Sequence, residues 1–315
     1  MSTYGQQRPG KAAPDNSSNP FKEDESKAPA RPPGHESATF QFVRQLGMDL
    51  AKGDFDLPPF PDTALKVQEC IRDPDSDIQQ LSAIVAKEPA LAARLMRMAN
   101  SAMMRRGPME VTDIPTAISR TGMEMVQNAA VSFAAREAFK IPPDAACLND
   151  LNALRRESVK VASLNYVLGK HVSSVKSPDE AMLGGLLNAV GKYYILLKAS
   201  DHPALFAETE ALQDLLAQWH TGVARAIVES WNFPESIAHA VDEQDIEERD
   251  RIDSADLSDI LHISKAIVRS HGSDIAGAVD GKDALARMRL STDKLLEILD
   301  EEQEAVESMV QALSG

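Results

Sequence analysis

LPPFPDTALKVQECIRDPDSDIQQLSAIVAKEPALAARLMRMANSAMM, residues 57–104, is the stretch from which the fold class can be predicted. Its apolar residues recur every three or four positions, the spacing that places side chains on one face of an α-helix. Pro61, Pro74 and Pro89 interrupt this pattern, as expected between successive helices. The chain shows no comparable segment with the alternating, β-branched pattern of a strand. The prediction is an all-α fold.

The signals for helix starts in this stretch agree with that prediction. Pro61 and Asp62 can open a first helix, and Ser76 or Asp77 can cap a second. Pro89 suits the first turn of a third helix. The residues expected to point inward are Ala64, Leu65, Val67 and Ile71 in the first helix, Leu81, Ile84 and Val85 in the second, and Leu91, Leu95, Met98 and Ala102 in the third.

Thr121 and Gly122 mark a turn between a short predicted helix and a long one, from about Met123 to Phe139. Two helices joined at a glycine also occur in DNA-reading units. The long helix is mostly apolar, as a core helix would be, and the formal net charge of -15 would repel a polyanion. A local basic patch could hold an anion, although a solvated face or internal salt bridges are commoner; it comprises Arg94, Arg97, Arg105 and Arg106. We therefore predict no nucleic-acid binding.

The composition limits the class of protein further. A chain of 315 residues can form one large or two modest domains, and its two cysteines cannot build a disulfide framework. The N-terminus lacks the pattern of a signal peptide, and no apolar run approaches the roughly 18 to 20 residues of a bilayer span. We expect a cytoplasmic protein without membrane insertion.

Residues 1–39 are rich in Pro, Gly, Ser and charge and predict a disordered tail, with a docking segment as the alternative.

The segment LLNAVGKYY, residues 186–194, raises the question of a metal site. We expect one helix here, in which Leu183, Leu187, Val190 and Tyr194 form one stripe. Gly184, Asn188 and Gly191 then align on another side. The helix glycines, which include Gly185, cost about 1 kcal/mol each relative to alanine. Close packing of another helix, or a pocket wall, would compensate, and Asn188 would be sheltered.

Three separated stretches resemble one known family. They are residues 57–102 of the opening stretch, LGGLLNAVGKYYILL at 183–197, and HTGVARAIVESWNFPESIAHAV at 220–241. They occur in the order found in the HDOD family, the HD-related output domains of bacterial signalling proteins, and the resemblance covers about residues 55–265. It implies an α-helical domain related to HD phosphohydrolases but generally without their complete metal site. The expected organisation is a tail (1–39), an N-terminal helical half (40–145), a degenerate HD-like half (146–280), and C-terminal helices packing on the bundle (281–315).

The resemblance also identifies where metal ligands would stand. HD phosphohydrolases hold one or two metal ions with His and Asp side chains, and a metal-bound hydroxide acts on phosphate esters. Asn188 and Ala189 occupy the place of a His-Asp pair in this chain, and Glu157 occupies the place of the first His. Lys265 stands where an Asp would close the site, and its ammonium has no lone pair and would repel a cation. His220 survives. Glu243 and Gln244 replace a His pair, and Ser264 precedes Lys265.

We therefore expect a vestigial polar pocket of Glu157, Asn188, His220 and Lys265, with no catalytic residue, no metal and no cofactor. A structural role is the favoured reading of His220, which could contact Asn188 or Glu157. Asp259 and His262 have helical i, i+3 spacing, which more often reflects a local hydrogen bond than a metal site.

The favoured function is a non-catalytic signalling or scaffolding module that contacts other signalling proteins. A groove is expected between the helices at 89–98 and 123–131 and the HD-like bundle. The methionines of the first half could form an adaptable surface, but a methionine-rich core is preferred; they are Met96, Met98, Met103, Met104, Met109, Met123 and Met125. One alternative is a divergent metal-dependent phosphohydrolase using Glu157 and His220, and another is a non-catalytic nucleotide or cyclic-dinucleotide sensor.

The C-terminal region, residues 283–315, predicts two more helices, with Ser291 or Thr292 as the cap of the last. Packing on the bundle is the expected role of that helix. Self-association into a homo-oligomer is the alternative.

Overall fold

The structure is a computed structural model that describes residues 38–52, 59–105, 107–140, 142–249 and 254–314. These residues form helices and contain no strand, so the predicted all-α fold is confirmed. The predicted tail lies outside the described residues except for its last two positions, which begin α1. The helices are α1 (Ala38–Lys52), α2 (Asp62–Arg72), α3 (Ile78–Val85), α4 (Pro89–Asn100), α5 (Ile114–Thr121), α6 (Met123–Ala138), α7 (Leu148–Gly169), α8 (Pro178–Leu187), α9 (Val190–Ala199), α10 (Thr209–Ser230), α11 (Glu235–Glu243), α12 (Leu257–Arg269), α13 (Ile275–Val279), α14 (Asp283–Arg287), α15 (Thr292–Glu301) and α16 (Gln303–Ser314), with a short 3-10 helix at Pro203–Ala207.

The helices of the N-terminal half begin close to the predicted positions. Asp77 caps α3 through a capping box, in which its carboxylate accepts from the Gln80 amide at 2.8 Å and the Gln80 side chain accepts from the Asp77 amide at 3.1 Å. Pro89 lies in the first turn of α4. Gly122 joins α5 to α6 with a φ of 91°, a conformation that favours glycine. Contacts of α6 with α2, α4 and α5 hold this half together.

Two glycines allow the helices of the HD-like half to pack closely. A Cβ at Gly185 would lie 2.4 Å from the Ala162 Cα, where α8 crosses α7. A Cβ at Gly191 would lie 1.9 Å from the His220 carbonyl oxygen, where α9 crosses α10. Gly184 is different, because its Cβ would meet only an Ile237 methyl group at 3.9 Å. Close helix packing therefore explains Gly185 and Gly191 but not Gly184.

The single helix expected across residues 183–194 is instead two helices, and the expectation was wrong at this point. α8 ends at Leu187, α9 begins at Val190, and Ala189 between them has φ -102° and ψ 4°. The Asn188 side chain turns back to donate to the Gly185 carbonyl oxygen at 2.5 Å. Such local side-chain bonds compete with the helical ladder. The predicted apolar stripe is nevertheless buried on both sides of the break.

The C-terminal helices connect the two halves. Ser291 caps α15 by accepting from the Lys294 amide at 3.1 Å. The last helix expected from this cap onward is instead two helices, α15 and α16, because the chain breaks at Glu302, so the capped helix is not the last one. α16 packs on both α4 and α7. Its Ser308 hydroxyl accepts from the Ala102 amide at 2.8 Å. One hydrophobic core therefore includes residues from the N-terminal half, the HD-like half and α16.

The methionines of the first half mainly fill this core. Met98, Met104 and Met125 are buried, and Met109 is 76% exposed. The partly buried members Met96, Met103 and Met123 pack against the core. This distribution fits the preferred core interpretation better than an adaptable methionine surface. None of the helices in the described ranges combines the length and apolar character that crossing a bilayer requires.

Candidate functional site

A chain of polar contacts, buried except at Asp245, lies where the HD-like half would hold a metal. We call it the lysine cluster; its members are Asn188, His220, Gln244, Asp245 and Lys265. Gln244 follows α11, is fully buried, and donates from Nε2 to the Asn188 backbone oxygen at 3.0 Å and to the Val241 backbone oxygen at 2.7 Å. The break between α8 and α9 is thus tied to the end of α11.

Lys265 on α12 occupies the centre of the lysine cluster. Its Nζ donates to the Gln244 Oε1 at 2.6 Å and to the Asp245 Oδ1 at 2.7 Å. Burial lowers the pKa of Lys265 to about 7, although Asp245 acts in the opposite direction. Both neighbours are acceptors at short distance, so the geometry is that of a donating ammonium group.

Asp245 joins this lysine to His220 on α10. The His220 Nε2 lies 2.8 Å from the Asp245 Oδ2. Burial acts to raise the pKa of Asp245, but the hydrogen bond from His220 and the charge of Lys265 outweigh it and hold that pKa well below its usual range. Burial lowers the pKa of His220, so a neutral imidazole donates its Nε2 proton to an ionised carboxylate.

The rim of the lysine cluster carries additional positive charge. Arg269 donates to the Asp245 Oδ1 at 3.3 Å. A small cavity of about 40 Å³ is lined by Glu157, Lys192 and Arg269 together with Asn188, Ala189 and Lys265. The pKa of Lys192 is lowered by burial and by Arg269. This cavity is close in size to one or two water molecules and too small for a phosphate ester.

The structure therefore brings the four predicted pocket residues into one neighbourhood, but not through the contacts that were expected. Asn188 and Lys265 are linked through Gln244, and His220 and Lys265 are linked through Asp245. Glu157 is an exposed residue at the edge of the small cavity. The expected contact of His220 with Asn188 or Glu157 is replaced by the bond to Asp245. Sequence reasoning missed this aspartate, although it directly follows the quoted ligand position at Gln244.

The predicted local bond between Asp259 and His262 is also replaced. The His262 Nδ1 lies 3.3 Å from the Gln244 backbone oxygen. Asp259 is 2% exposed and pairs with Arg287 at 2.7 Å and with Arg249 at 3.1 Å. Two arginines thus neutralise this buried carboxylate and link α12 to α14 through Arg287, so its oxygens are already engaged and are not offered to a metal ion.

The predicted arginine patch is divided between the interior and the surface. Arg94 is 4% exposed and donates to the Ser132 hydroxyl at 2.7 Å. Arg97 is exposed and donates to the Ala312 backbone oxygen, and Arg105 is exposed. Arg106 lies outside the described residues. Arg94 therefore belongs to a different environment from its predicted companions.

The donor set does not fit a divalent metal ion. Asn188 uses its amide nitrogen to donate to the Gly185 carbonyl oxygen, Ala189 offers no ligand atom, and the ammonium of Lys265 lies against the carboxylate of Asp245. In the described ranges no group of three or more His, Cys, Asp or Glu side chains is arranged to hold a metal. Metal sites of this type need several oxygen or imidazole donors around the ion.

Comparisons with known proteins agree with this architecture. The HDOD domain pattern matches residues 57–246. A proposed metal-dependent phosphohydrolase from Shewanella amazonensis SB2B superposes with a TM-score of 0.75 at 24% identity, covering 88% of this chain and 99% of that one. An HDOD domain protein of unknown function from Geobacter sulfurreducens gives 0.65 at 18%, covering 87% and 97%. A proposed signal transduction protein from Marinobacter aquaeolei VT8 gives 0.62 at 18%, covering 89% and 67%.

A curated relative extends the comparison at the sequence level. It is an uncharacterized protein of Treponema pallidum (strain Nichols), 21% identical over 209 residues, which are 62% of this chain and 39% of the relative. This chain thus matches less than half the length of that relative. The match to the HDOD domain, over residues 57–246, covers more than half of the 315 residues of this chain. The chain belongs to the HDOD domain family.

Proposed function

We propose that this chain is a non-catalytic regulatory module that acts through contacts with other signalling proteins. The observation that carries the proposal is the position of Lys265, whose ammonium lies 2.7 Å from the cluster's only carboxylate, that of Asp245. Asp245 is partly exposed, but its carboxylate is already paired with the buried ammonium of Lys265 and therefore gains little from binding a second cation. A metal ion approaching Asp245 would also meet the positive charges of Lys192 and Arg269.

Histidine chemistry supports the same proposal. His220 directs its Nε2 proton to Asp245, and its Nδ1 atom is buried and makes no hydrogen bond with the described residues. A hydrolase of the HD type needs a metal-bound hydroxide as the nucleophile, and one free imidazole nitrogen cannot generate it. The lysine cluster therefore serves to fix α8, α10, α11 and α12 relative to one another.

The relatives supply the regulatory part of the proposal. The Marinobacter aquaeolei structure is described as a proposed signal transduction protein, and the HDOD fold is common to both chains. The Shewanella amazonensis description favours the rival function, a metal-dependent phosphohydrolase. The two functions differ in what the purified chain should contain and do.

Metal content and turnover separate the two functions. We expect the full chain, purified and incubated with Mn²⁺, Fe²⁺ or Mg²⁺, to hold far less than one metal ion per chain and to leave bis-p-nitrophenyl phosphate intact. Stoichiometric metal with turnover that His220→Ala abolishes would establish the hydrolase instead. His171→Ala is the matched control, because His171 is an exposed residue at the end of α7.

Affinity purification from the native cell tests whether this chain binds another signalling protein. We expect a signalling protein to copurify in stoichiometric amount and to be captured by short-range cross-linking. Light scattering of the purified chain identifies self-association as the source of any complex. A chain that is recovered alone, and shows metal-dependent turnover, would contradict the proposal.

A further inference from the structure

A second polar cavity, of about 340 Å³, lies where the two halves of the fold meet. Helices α4 and α6 form its N-terminal wall, α7, α8 and α9 form the opposite wall, and the end of α16 contributes Leu313 and Ser314. Four arginines line it: Arg94, Arg136, Arg155 and Arg156. We call it the arginine cavity.

Arg94 is the buried member of this set. Its side chain donates to the Ser132 hydroxyl at 2.7 Å, whereas its Nε is buried and makes no hydrogen bond with the described residues. Burial, followed by the charges of Arg136 and Arg97, lowers the pKa of Arg94 to about 10. The guanidinium therefore remains charged at neutral pH, although it has lost most of its water.

The other three arginines of the arginine cavity are not paired with a carboxylate among the described residues either. Arg155 donates to the Phe139 backbone oxygen at 2.8 Å, and Arg136 donates to the Ser314 backbone oxygen at 3.4 Å. Arg156 is exposed. In the described ranges no carboxylate lies within ion-pair distance of any of the four guanidinium groups, which distinguishes them from Arg249 with its acidic partners.

The acidic side chain whose charge acts on these arginines, Glu137, is itself paired with a lysine. Burial lowers the pKa of Arg94 and of Arg155, and the charge of Glu137 opposes this change only in part. Its carboxylate, however, is an exposed group that pairs with Lys140 at 3.2 Å. The arginine cavity therefore concentrates positive charge on a protein whose formal net charge is -15. An anion entering from solvent would supply the missing charge.

The chemistry of the walls indicates which anion fits. Guanidinium groups match the paired oxygens of phosphates and carboxylates, and several of them together favour a doubly charged group. Apolar surface from Val159, Leu186 and Leu313 lines the rest of the cavity, and the Tyr193 hydroxyl donates to the Ser158 hydroxyl at 2.9 Å. A bare inorganic ion would leave this surface and most of the volume unused, since pockets for organic ligands begin at roughly 300 Å³.

We propose that the arginine cavity binds a small organic phosphate of about mononucleotide size, with the phosphate at Arg94 and the organic part against the apolar wall. Arg136, Arg155 and Arg156 complete the positive environment of the phosphate. The ligand contacts both halves and α16, so its occupancy stabilises their relative position. This proposal rests on the arginine cavity and not on the proposed function.

Calorimetry and thermal shift of the full chain in phosphate-free buffer test the proposal. The probes are the four common nucleoside monophosphates, glucose 6-phosphate, inorganic phosphate and citrate. We expect at least one phosphate ester to bind saturably, one per chain, and more tightly than inorganic phosphate or citrate. The proposal is overturned if no ester binds at about 1 mM, or if citrate or inorganic phosphate binds best.

Two arginine variants assign the binding to this cavity. Arg94→Met keeps an unbranched, although shorter, side chain and removes its charge, and we expect it to weaken ester binding by roughly tenfold to a hundredfold. Arg156→Gln provides a second test, because this exposed arginine makes no hydrogen bond or ion pair with the described residues that folding would lose. It should weaken binding severalfold.

The matched control is Arg105→Gln, which removes the same charge from an exposed position that does not line the cavity. Its affinity for the ester should equal that of the wild type. Binding that survives both Arg94→Met and Arg156→Gln, or falls equally in the control, would overturn the assignment. None of these outcomes depends on metal content or turnover, so failure here is separate from failure of the proposed function.

Discussion

The lysine cluster and the arginine cavity lie against neighbouring faces of the same helix, α7, and Ser158 lines both the small cavity beside Lys265 and the arginine cavity. Leu154, Glu157 and Val161 face the small cavity beside Lys265, whereas Asn152, Arg155 and Val159 face the arginine cavity. In the lysine cluster the cation, Lys265, is hydrogen-bonded to a carboxylate of the same cluster, that of Asp245. The arginine cavity contains Arg94, whose buried Nε makes no hydrogen bond with the described residues and whose guanidinium forms no ion pair with a described carboxylate. A buried cation paired with an internal carboxylate, as in the lysine cluster, indicates a structural role. A buried cation without such a partner, as in the arginine cavity, indicates the binding of an anion from outside the protein.

The largest effect is expected from breaking the close helix packing that supports the lysine cluster. Gly191→Ala places a Cβ 1.9 Å from the His220 carbonyl oxygen, so α9 or α10 must move. We expect a loss of at least about 3 kcal/mol in the free energy of unfolding, measured by urea denaturation. Gly184→Ala is the control, because its contact at 3.9 Å is ordinary; a gain of up to about 1 kcal/mol is expected there. Equal losses in both variants would contradict the packing argument.

Lys265→Met should expose the dependence of the lysine cluster on its internal cation. Removing the ammonium leaves Asp245 with only His220 and the exposed Arg269, and we expect a loss of about 2 to 3 kcal/mol in the free energy of unfolding. Adding Asp245→Asn removes the stranded charge and should recover part of that loss. Independent, additive losses in the double variant would show that the two residues do not act as a pair.

Acid should weaken the lysine cluster through Asp245. The folded-state pKa of this carboxyl is depressed, so its contribution to stability is present above the unfolded value of about 4 and is lost as the pH falls below it. Comparing denaturation at about pH 6 and pH 3, the wild type should lose more free energy of unfolding than Asp245→Asn. The same slope in both proteins would show that Asp245 is not the responsible group.

The smallest change in stability is expected for a substitution in the arginine cavity. Unlike the changes above, it should leave the free energy of unfolding nearly unchanged or increase it. Arg94→Met replaces a buried charge that has no ion-pair partner among the described residues by a shorter, unbranched apolar side chain, so the free energy of unfolding should stay within about 1 kcal/mol of the wild type or rise. Denaturation in phosphate-free buffer provides the measurement. A loss above about 2 kcal/mol would indicate that Arg94 serves the fold through Ser132.

The sequence predicts elements whose signals are local. The caps at Asp77 and Ser291 and the first-turn proline at Pro89 depend on neighbouring residues only, and the structure has each of them. The break at Asn188 was not predicted, since Leu-Asn-Ala-Val contains no strong helix breaker. It depends on a bond to Gly185 and on Gln244, which is 56 residues away.

The candidate sites show the same limit. Replacement of metal ligands could be recognised position by position from the family resemblance, and Lys265 was identified in this way. Its partner Asp245 could not be, because the pairing depends on how α11 and α12 pack. The arginine cavity assembles residues from six helices, and of its four arginines only Arg94 belongs to the basic patch predicted from the sequence. Charges that meet through tertiary packing have no fixed sequence spacing.

The position of α16 has a practical consequence for protein engineering. Its last turn lies at the arginine cavity, and Arg136 donates to the Ser314 backbone oxygen. A fluorescent reporter or purification handle fused directly after this helix would crowd the cavity opening and compete for that arginine. Helix α1 packs on α10 and contributes no residue to the cavity lining, so a fusion ahead of α1 avoids the competition for Arg136.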